Sequence, residues 1–275
     1  MAENEAIMIK TTIPSFRKIV WAHFKKYGRH DLPWRKTHDP YKILVSEVML
    51  QQTQVERVIP FYKNFLKRFP TAKKLAQAPL SAVLKSWQGL GYNRRAKMLQ
   101  AAAKELAVKR IKTVSEWEML PGVGSYTARA VAAFSSNTNA VFIETNIRTV
   151  IIHHFFPKKK KVSDAAIEKI LARALPKGKS RAWYSALMDY GASLKRSGIS
   201  HNARSKTHAK QSKFSGSLRE ARGAILRKLS LGSAPPDKLA HLLGEARRAQ
   251  MRTALRALWT EGLIKKTERG YTLAD

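Results

Sequence analysis

The sequence predicts an all-α protein that ends in a small helical unit with a β-hairpin. Three observations favour this fold class. Apolar residues recur at spacings of three and four from residue 13 to about residue 190, Pro and Gly stand at the breaks, and no convincing alternating strand pattern interrupts these stretches. The closing segment LIKKTERGYTLA reads as a β-hairpin.

The helical stretches follow one another with short connections. The first apolar stripes run through Phe16, Ile19, Val20 and Phe24, and then through residues 43–59. Further helices are predicted at 80–87, 94–108, 115–120, 125–134, 145–155, 164–175 and 182–194. Connections are expected at Pro60, Pro70, Pro79, Pro121, Pro157 and Pro176.

The composition changes at residue 195. Residues 195–216 are rich in Ser, Lys, Arg and His, which predicts a basic linker or a loop lying on an anion. Residues 217–275 give three short amphipathic helices and the hairpin, with Arg and Lys on the third helix and in the hairpin turn. This layout is typical of a winged helix-turn-helix, and a capping bundle is the alternative. We therefore predict a tail (1–12), a helical domain (13–194), the linker and a winged-helix-like domain (217–275). Trp259 is expected to be a core residue, with a wedge residue as the alternative.

Positive charge dominates the composition. Fifty-two Lys and Arg stand against nineteen Asp and Glu in 275 residues, a formal net charge of +33. Because Lys and Arg recur along nearly the whole chain, and not on one face of one amphipathic helix, a nucleic acid is a better partner than a membrane surface. A solvated surface adapted to another demand is the alternative.

Cysteine is absent from the sequence, which excludes disulfides and Cys-ligated zinc or iron–sulfur clusters. The eight His are scattered, so we expect neither a metal nor another cofactor. The sequence shows no signal-peptide pattern and no run of about 18 apolar residues. We therefore expect a soluble intracellular protein, cytoplasmic and associated with the nucleoid.

The segment LPGVGSYTARAVAAF, residues 120–134, is the most specific local signal. Pro121 ends one helix, Gly122 and Gly124 permit conformations that other residues resist, and an amphipathic helix starts at Ser125 or the next residue. The N–H groups of residues 122–125 would then point outward without partners, which is the arrangement of an anion site. The segment predicts phosphate binding, and an ordinary helical corner is the alternative.

Two glutamates stand where the flanking pattern predicts burial. Glu47 lies among the apolar residues of KILVSEVMLQQTQV, and Glu144 interrupts the apolar run AVFIETNIRTV together with Asn146. A buried carboxylate is costly unless it is paired or used. The two together resemble an acid/base pair aimed at a glycosidic bond, whereas either alone is more typical of a helix cap or a salt bridge.

Seven motifs in order give the chain a family resemblance. They are DLPWR (31–35), DPYKILVSEVMLQQTQV (39–55), FYKNFLKRFPT (61–71), WQGLGYNRRAKML (87–99), LPGVGSYTA (120–128), ETNIRTV (144–150) and LMDYGA (187–192). Residues 13–191 thereby resemble the helix-hairpin-helix (HhH-GPD) DNA glycosylases, and within them the MutY-type adenine glycosylases more than endonuclease III. The resemblance implies a helical domain of two lobes.

The resemblance also implies a role for individual side chains. Glu47 protonates the departing base, Glu144 stabilises the positive charge that develops on the sugar, and Tyr126 and Asn146 support that cation and the attacking water. The wall around the extruded base is formed by Leu32, Trp34 and Arg35. Gln52 and Tyr92 wedge into the duplex and Thr53 touches the opposite base. The other implied DNA contacts are Gly122, Val123, Gly124, Ser125 and Arg148.

Position 126 distinguishes two chemistries. Endonuclease III-like enzymes carry there a Lys that forms a Schiff base with the sugar and leads to strand cleavage, and Tyr126 cannot do this. The implied enzyme is a monofunctional DNA glycosylase of base excision repair, a monomer that acts on double-stranded DNA with a mispaired base. The expected substrate is adenine opposite guanine or 8-oxoguanine. A mismatch uracil, thymine or hypoxanthine glycosylase is the alternative, and a non-catalytic binder of DNA structure is the alternative from another class.

The chain departs from the family pattern at three places. Glu144 stands where an Asp is usual, and one added methylene moves the carboxylate by about 1.5 Å. The family's four-Cys iron–sulfur cluster is absent, and the segment from Lys195 to Phe214 occupies its place, with DNA contact expected from Arg204, Lys206, Lys210 and Lys213. The small C-terminal unit stands where MutY proteins carry a larger MutT-like domain.

Overall fold

The structure is a computed structural model that describes residues 11–205 and 213–275. Within these ranges the chain forms fourteen α-helices and one antiparallel pair of strands. The elements are α1 (Ile13–Tyr27), α2 (Pro40–Leu50), α3 (Val55–Arg68), α4 (Ala72–Gln77), α5 (Leu80–Trp87), α6 (Arg94–Val108), α7 (Val114–Glu118), α8 (Ser125–Ser136), α9 (Thr145–Phe155), α10 (Asp164–Ala174), α11 (Ser180–Arg196), α12 (Leu218–Leu229), α13 (Pro236–Ala240), α14 (Arg248–Thr260), β1 (Ile264–Thr267) and β2 (Gly270–Leu273).

The chain divides into two compact units. Of the described residues, unit 1 comprises 11–36 and 129–205, and unit 2 comprises 37–128 and 213–275, with the division falling inside α8. The predicted helical domain is thus divided between two units, and the C-terminal elements α12 to β2 belong to unit 2. The predicted domain boundaries at 194 and 217 stay a prediction.

The core of unit 1 is built from α1, α9 and α11. Phe16 of α1 is fully buried and meets the Trp183 ring edge to face, with the ring centroids 5.9 Å apart. Phe142 stacks on the fully buried Tyr184 with the centroids 3.9 Å apart. A Cβ on Gly191 would lie 2.3 Å from the Asn146 carbonyl oxygen, so only glycine lets α11 lie this close to α9.

The core of unit 2 contains α2, α3, α5 and α6, around the fully buried Phe65 and Trp87. Its C-terminal part packs α12 on α14, and β1 pairs with β2 in the register Ile264↔Leu273. A single bridge between Ala234 and Tyr271 joins the segment before α13 to this hairpin. Three helices and a hairpin therefore follow residue 217 in the predicted order.

Side-chain caps explain where seven of these fourteen helices begin. An Asp, Ser, Thr or Glu side chain accepts backbone N–H groups that the first helical turn leaves unpaired. The capping residues are Thr12, Asp39, Thr71, Thr113, Glu144, Ser163 and Ser217.

The predicted all-α class is confirmed, and two local predictions are wrong. Pro60 does not mark a connection but lies inside α3, where it is exposed and only the Glu56 carbonyl loses its helical donor. Trp259 is 53% exposed on α14 and not part of a core, because Leu255 and Leu258 occupy the buried face of that helix. No helix in the described parts of the chain is long and apolar enough to cross a membrane.

Candidate active site

Glu47 is a buried carboxylate in unit 2. It lies on α2, whose face is buried from Ile43 to Met49, and only 5% of Glu47 is exposed. The Tyr126 hydroxyl donates a hydrogen bond of 3.1 Å to Glu47 Oε2. Tyr126 stands in the first turn of α8 and is half-buried, so the start of one helix places a hydroxyl on an acid of another. The structure therefore joins two of the predicted catalytic residues.

A glycine turn precedes α8 as predicted. Gly122 has φ +75°, and a Cβ there would lie 2.5 Å from Met98 Cβ, so no other residue fits without a shift. Gly124 and Ser125 are exposed, and among the described residues no acceptor bonds to the N–H groups of Gly122, Gly124 and Ser125. The N–H group of Val123 is the exception to the prediction, since it donates to the Leu120 carbonyl at 3.1 Å and its side chain is buried. Three outward N–H groups at a helix start remain available to an anion.

The two predicted wedge residues share a backbone strain. Gln52 has φ +56° and Tyr92 has φ +48°, values that are uncommon for residues other than glycine. Gln52 is exposed, Tyr92 is half-buried, and the Thr53 hydroxyl donates to the Gln51 carbonyl at 3.3 Å. Strained backbone persists only where its surroundings hold it, and such positions concentrate at functional sites.

Arg95 holds both of these loops, and the sequence reasoning missed it. Its guanidinium donates to the carbonyls of Val48 at 2.7 Å and Gln51 at 2.6 Å on one side. On the other side it donates to the carbonyls of Leu90 at 3.3 Å and Gly91 at 3.2 Å. Burial lowers the pKa of Arg95 to about 10, so the group stays a cation at neutral pH. Its only sequence signal is an Arg directly after a turn that carries two glycines.

Glu144 in unit 1 caps α9. Its Oε2 accepts from the N–H groups of Asn146 at 2.8 Å and Ile147 at 3.3 Å, and its Oε1 accepts from Asn146 Nδ2 at 2.7 Å and the Thr145 hydroxyl at 2.9 Å. The residue is half-exposed, so the expected burial is wrong, because a cap must lie beside the open first turn of its helix. The structure brings Glu144 and Asn146 together as one hydrogen-bonded pair.

A lysine that the sequence placed in the linker lies next to this pair. Lys195 belongs to α11 and its Nζ donates to the Thr145 hydroxyl at 3.1 Å. Burial lowers the pKa of Lys195, and the negative charge of Glu144 opposes that shift. The cation is therefore part of the surroundings of the Glu144 carboxylate.

The predicted base-pocket residues surround an ion pair in unit 1. Leu32 and Trp34 are buried, and Arg35 forms a two-pronged bridge to Asp189, with NH1–Oδ2 at 2.6 Å and NH2–Oδ1 at 2.9 Å. Arg29 adds Nε–Oδ1 at 2.6 Å. Burial alone would raise the pKa of Asp189, but Arg35 and then Arg29 hold it below its ordinary value. The guanidinium of Arg35 therefore binds a side chain of the protein, and its predicted contact with a base stays a prediction.

The remaining predicted DNA contacts have other partners or lie outside the described residues. Arg148 forms an ion pair with Asp164, with NH2–Oδ2 at 3.3 Å. Arg204 Nε donates to the Lys159 carbonyl at 2.8 Å, and its NH2 to the Pro157 carbonyl at 3.2 Å. Lys213 is exposed, whereas Lys206 and Lys210 lie outside the described residues. The DNA contacts of these residues stay predictions.

Comparison with known proteins identifies the family. A model of the HhH-GPD superfamily of base excision DNA repair proteins matches residues 45–177. An adenine DNA glycosylase of Mycolicibacterium smegmatis is 33% identical over 266 residues, which cover 89% of this chain and 91% of that protein. This chain belongs to the HhH-GPD superfamily.

Two further likenesses span less of the HhH-GPD chain. An adenine DNA glycosylase of Buchnera aphidicola subsp. Baizongia pistaciae is 37% identical over 191 residues, which cover 66% of this chain and 53% of that protein. The chain thus spans about half the length of this relative. A solved thermostable thymine-DNA glycosylase has a TM-score of 0.58 at 26% identity and covers 66% of this chain and 86% of its own.

The iron–sulfur cluster that the resemblance associates with this superfamily does not fit this chain. The sequence has no cysteine to supply the thiolate ligands of such a cluster. After α11, residues 197–205 are instead attached by Arg204, by Lys161 Nζ donating to the Ala203 carbonyl at 3.1 Å, and by a backbone bridge between Val162 and Ser205. The described residues also hold no group of three His, Asp or Glu suited to a metal ion.

Proposed function

We propose that this protein is a monofunctional DNA glycosylase of base excision repair. It extrudes a mispaired base from double-stranded DNA and hydrolyses the bond between that base and its sugar, with adenine opposite guanine or 8-oxoguanine as the expected substrate. The observation that carries the proposal is the buried Glu47 carboxylate under the Tyr126 hydroxyl, in the unit that presents the outward N–H groups of the glycine turn.

Glu47 acts as the general acid in this proposal. In its protonated form it gives a proton to a ring nitrogen of the extruded base as the C–N bond breaks, so the bonding electron pair leaves on a neutral base. Water then attacks C1′ and releases a proton, which restores the acid. Burial supports this role because a dry site strengthens each interaction with the reacting atoms, and the Tyr126 hydroxyl fixes the orientation of the carboxyl group.

Glu144 and Asn146 have an electrostatic role. Four donors, two of them backbone N–H groups, hold the Glu144 carboxylate in one position at the start of α9. A carboxylate fixed in advance stabilises a sugar cation without reorganising during the reaction. We propose that Glu144 does this and that Asn146 orients the attacking water.

In this proposal the protein binds the DNA through its phosphate backbone, and the wedge residues open the duplex. The N–H groups of Gly122, Gly124 and Ser125 suit a phosphate, and the net charge of +33 adds an attraction that does not depend on sequence. Gln52 and Tyr92 stand on strained loops that Arg95 fixes. A side chain that enters a duplex needs such a fixed backbone. Extrusion costs least at a mispair, which favours mispaired bases as substrates.

Tyr126 supports a monofunctional reaction. A phenol hydrogen-bonded to Glu47 offers no amine for a Schiff base with the sugar, so water is the nucleophile. The product is an intact strand with an abasic site.

We also propose that the C-terminal elements bind duplex DNA as a winged helix. Arg252, Arg256 and Trp259 are exposed along one face of α14, and neither arginine has a hydrogen bond or ion pair with another described residue. Lys266 and Arg269 are exposed on the hairpin that follows. Positive charge and an exposed aromatic ring on one surface suit a phosphate backbone.

A salt titration tests the winged-helix proposal. The double substitution Arg252→Ala/Arg256→Ala removes two phosphate contacts, so we expect the slope of log K against log salt for matched duplex to fall by about two. The charge-matched control is Arg227→Ala/Lys238→Ala, since these side chains are exposed on α12 and α13, away from α14 and the hairpin in sequence. Equal slopes for the two double variants would contradict the winged-helix proposal.

A panel of duplexes tests the main proposal. Each duplex holds one mispair or lesion, is incubated with the protein and is then divided, with one half treated with alkali. We expect cleavage only in the alkali-treated half, on duplexes with adenine opposite guanine or 8-oxoguanine. Cleavage before alkali would contradict the monofunctional reaction, and binding without cleavage of any duplex would favour a non-catalytic DNA binder.

The panel also decides between adenine and pyrimidine substrates. The likeness to a thymine-DNA glycosylase favours thymine or uracil in a mispair as the second candidate. Release of thymine or uracil, with adenine left intact, would replace the adenine proposal and keep the glycosylase proposal.

A further inference from the structure

The C-terminal elements reach the wedge residue Tyr92. Arg219, in the first turn of α12, donates from NH1 to the Tyr92 hydroxyl at 3.0 Å, and its guanidinium lies 5.2 Å from the centroid of the Tyr92 ring. The two residues are 127 positions apart in the sequence and belong to unit 2. One side chain therefore makes both a hydrogen bond and a cation–π contact with a residue on a strained turn.

Two arginines, Arg95 of α6 and Arg219 of α12, contact the Tyr92 ring. Arg95 lies 5.3 Å from the ring centroid and is bound to the carbonyls of Gln51 and Gly91, so it fixes the loop from within. Arg219 holds the same ring from the C-terminal elements. Arg219 donates its hydrogen bond to the Tyr92 hydroxyl, which is the end of the side chain farthest from the backbone.

Other contacts of unit 2 place Arg219 at this position. Lys97 Nζ donates to the Glu261 carbonyl at 2.6 Å, which joins α6 to the end of α14. Arg222 lies three positions after Arg219 on α12. Its NH1 and NH2 groups donate to the two carboxylate oxygens of Glu261 at 2.7 Å and 2.6 Å. Gln88 Nε2 donates to the Ser230 hydroxyl at 3.2 Å at the far end of α12. The helix that carries Arg219 is thus anchored at both ends beside the Tyr92 loop.

Arg219 also lines a cavity of about 380 Å³ in unit 2 together with residues that the proposed function uses. The lining includes Gln52, Tyr92, Gly122, Val123 and Arg222. The wedge residues and the phosphate-binding turn therefore open onto the same space as Arg219.

We propose that Arg219 is a positioning residue, which holds Tyr92 in the orientation that enters the duplex and thereby makes base extrusion depend on the C-terminal elements. The proposal rests on the proposed function, since it needs Tyr92 to act as a wedge. It gives the C-terminal elements a part in extrusion, beyond the added affinity of a winged helix.

Three variants test this role. Arg219→Ala removes both contacts, Arg219→Lys keeps a cation and a donor, and Arg227→Ala is the control, because Arg227 is exposed on the same helix and carries the same charge. The readouts are the fluorescence of 2-aminopurine placed at the mispair, the single-turnover rate of base release, the affinity for matched duplex and the unfolding temperature.

We expect Arg219→Ala to lower both the extrusion signal and the single-turnover rate by about tenfold, which corresponds to 1.4 kcal/mol. The affinity for matched duplex should fall no more than in Arg227→Ala, and Arg219→Lys should recover at least a third of the rate. Equal behaviour of Arg219→Ala and Arg227→Ala would overturn the proposal. A faster rate in Arg219→Ala would overturn it too, since the contact would then restrain Tyr92.

A double-mutant cycle shows whether Arg219 acts through Tyr92. Tyr92→Phe removes the hydroxyl that Arg219 binds and keeps the ring, so we expect Arg219→Ala to lower the rate much less in the Tyr92→Phe background than in the wild type. Additive losses would contradict the proposal. If Arg219→Ala does not fold, the cycle is run with Arg219→Met, which removes the cation and the donor and keeps most of the side-chain volume.

The tests separate failure of this inference from failure of the proposed function. Wild-type protein that releases no base from any duplex contradicts the glycosylase activity, while the 2-aminopurine signal still reports whether Arg219 supports extrusion. Wild-type release that is unchanged in Arg219→Ala contradicts the inference alone.

Discussion

The two glutamates of the candidate site occupy opposite kinds of surroundings. Glu47 in unit 2 is 5% exposed on the buried face of a helix and accepts a hydrogen bond from the Tyr126 hydroxyl. Glu144 in unit 1 is half-exposed at the start of a helix and accepts four hydrogen bonds from its own neighbours. Two residues of the same type are thus suited to different roles, Glu47 to giving a proton and Glu144 to holding a fixed negative charge. Removal of the acidic proton, of the fixed charge or of the supporting contacts should therefore have different effects.

The largest effect is expected from Glu47→Gln. The amide keeps the size of the side chain but cannot give a proton to the leaving base, so the single-turnover rate should fall by about 10³-fold. The affinity for a mispaired duplex should change little. The control is Glu56→Gln, because Glu56 is exposed in the same unit. A rate that survives in Glu47→Gln would remove Glu47 from the acid role.

A smaller loss is expected from Glu144→Gln. The amide can still accept hydrogen bonds at the start of α9 but carries no charge, so the sugar cation loses its partner and the rate should fall by about 10²-fold. Glu168→Gln, on an exposed face of unit 1, is the matched control. Glu144→Asp, which keeps the charge and is a good helix cap, should be tolerated or improve the rate. A rate in Glu144→Gln close to that of the wild type would contradict the electrostatic role, and a loss in Glu144→Asp as large as that in Glu144→Gln would show that side-chain length matters as well as charge.

A loss of about tenfold is expected from Tyr126→Phe. This change deletes the 3.1 Å hydrogen bond to Glu47 and leaves the acid in place, and tenfold corresponds to about 1.4 kcal/mol, within the range of about 0.5–1.5 kcal/mol for a typical hydrogen bond. The pH profile of the single-turnover rate should shift, because the hydroxyl favours one protonation state of its partner. The exposed Tyr27→Phe serves as the control. An unshifted pH profile would contradict a direct role of Tyr126 on Glu47.

The smallest effect on chemistry is expected from Asp189→Asn, with a loss of stability instead. The buried carboxylate joins Arg29 and Arg35, and removing its charge leaves two arginines without their partner, so the free energy of unfolding should fall by about 3 kcal/mol. Denaturant unfolding measures the stability, and the single-turnover rate at low temperature should stay close to wild type. Asp31→Asn, in the exposed Lys36–Asp31 pair, is the control with little expected change. A large loss of rate without loss of stability would place Asp189 in the reaction.

The same ion pair predicts how stability depends on pH. The folded-state pKa of Asp189 is lowered, so its stabilising contribution is present above the ordinary pKa of 3.8 and is lost as the pH falls through the lower folded value. Wild-type protein should therefore lose more stability than Asp189→Asn when the pH falls below about 4. Parallel pH curves for the two proteins would contradict the ion-pair account.

The order of residues alone predicts most elements of the fold and the identity of the chemical groups. Apolar spacing and breakers give the helices at 80–87, 94–108 and 145–155 with the bounds that the structure has, because local packing and capping decide where a helix begins and ends. The glycine turn and the proximity of Asn146 to Glu144 also follow from neighbouring residues. Pro60 shows the limit, since an exposed proline near the start of a helix is tolerated within it.

The contacts between distant groups could not be predicted from the sequence and are seen in the folded chain. The Tyr126 hydroxyl on Glu47, the arginines on Asp189, the span of Arg95 across two loops and the contact of Arg219 with Tyr92 join residues up to 160 positions apart. Sequence reasoning placed Glu144 in a buried run and did not find Asp189 as the partner of Arg35, because apolar neighbours do not reveal a helix start or an ion-pair partner. Periodicity encodes which face of an element is buried, whereas the partner across that face depends on how the whole chain packs.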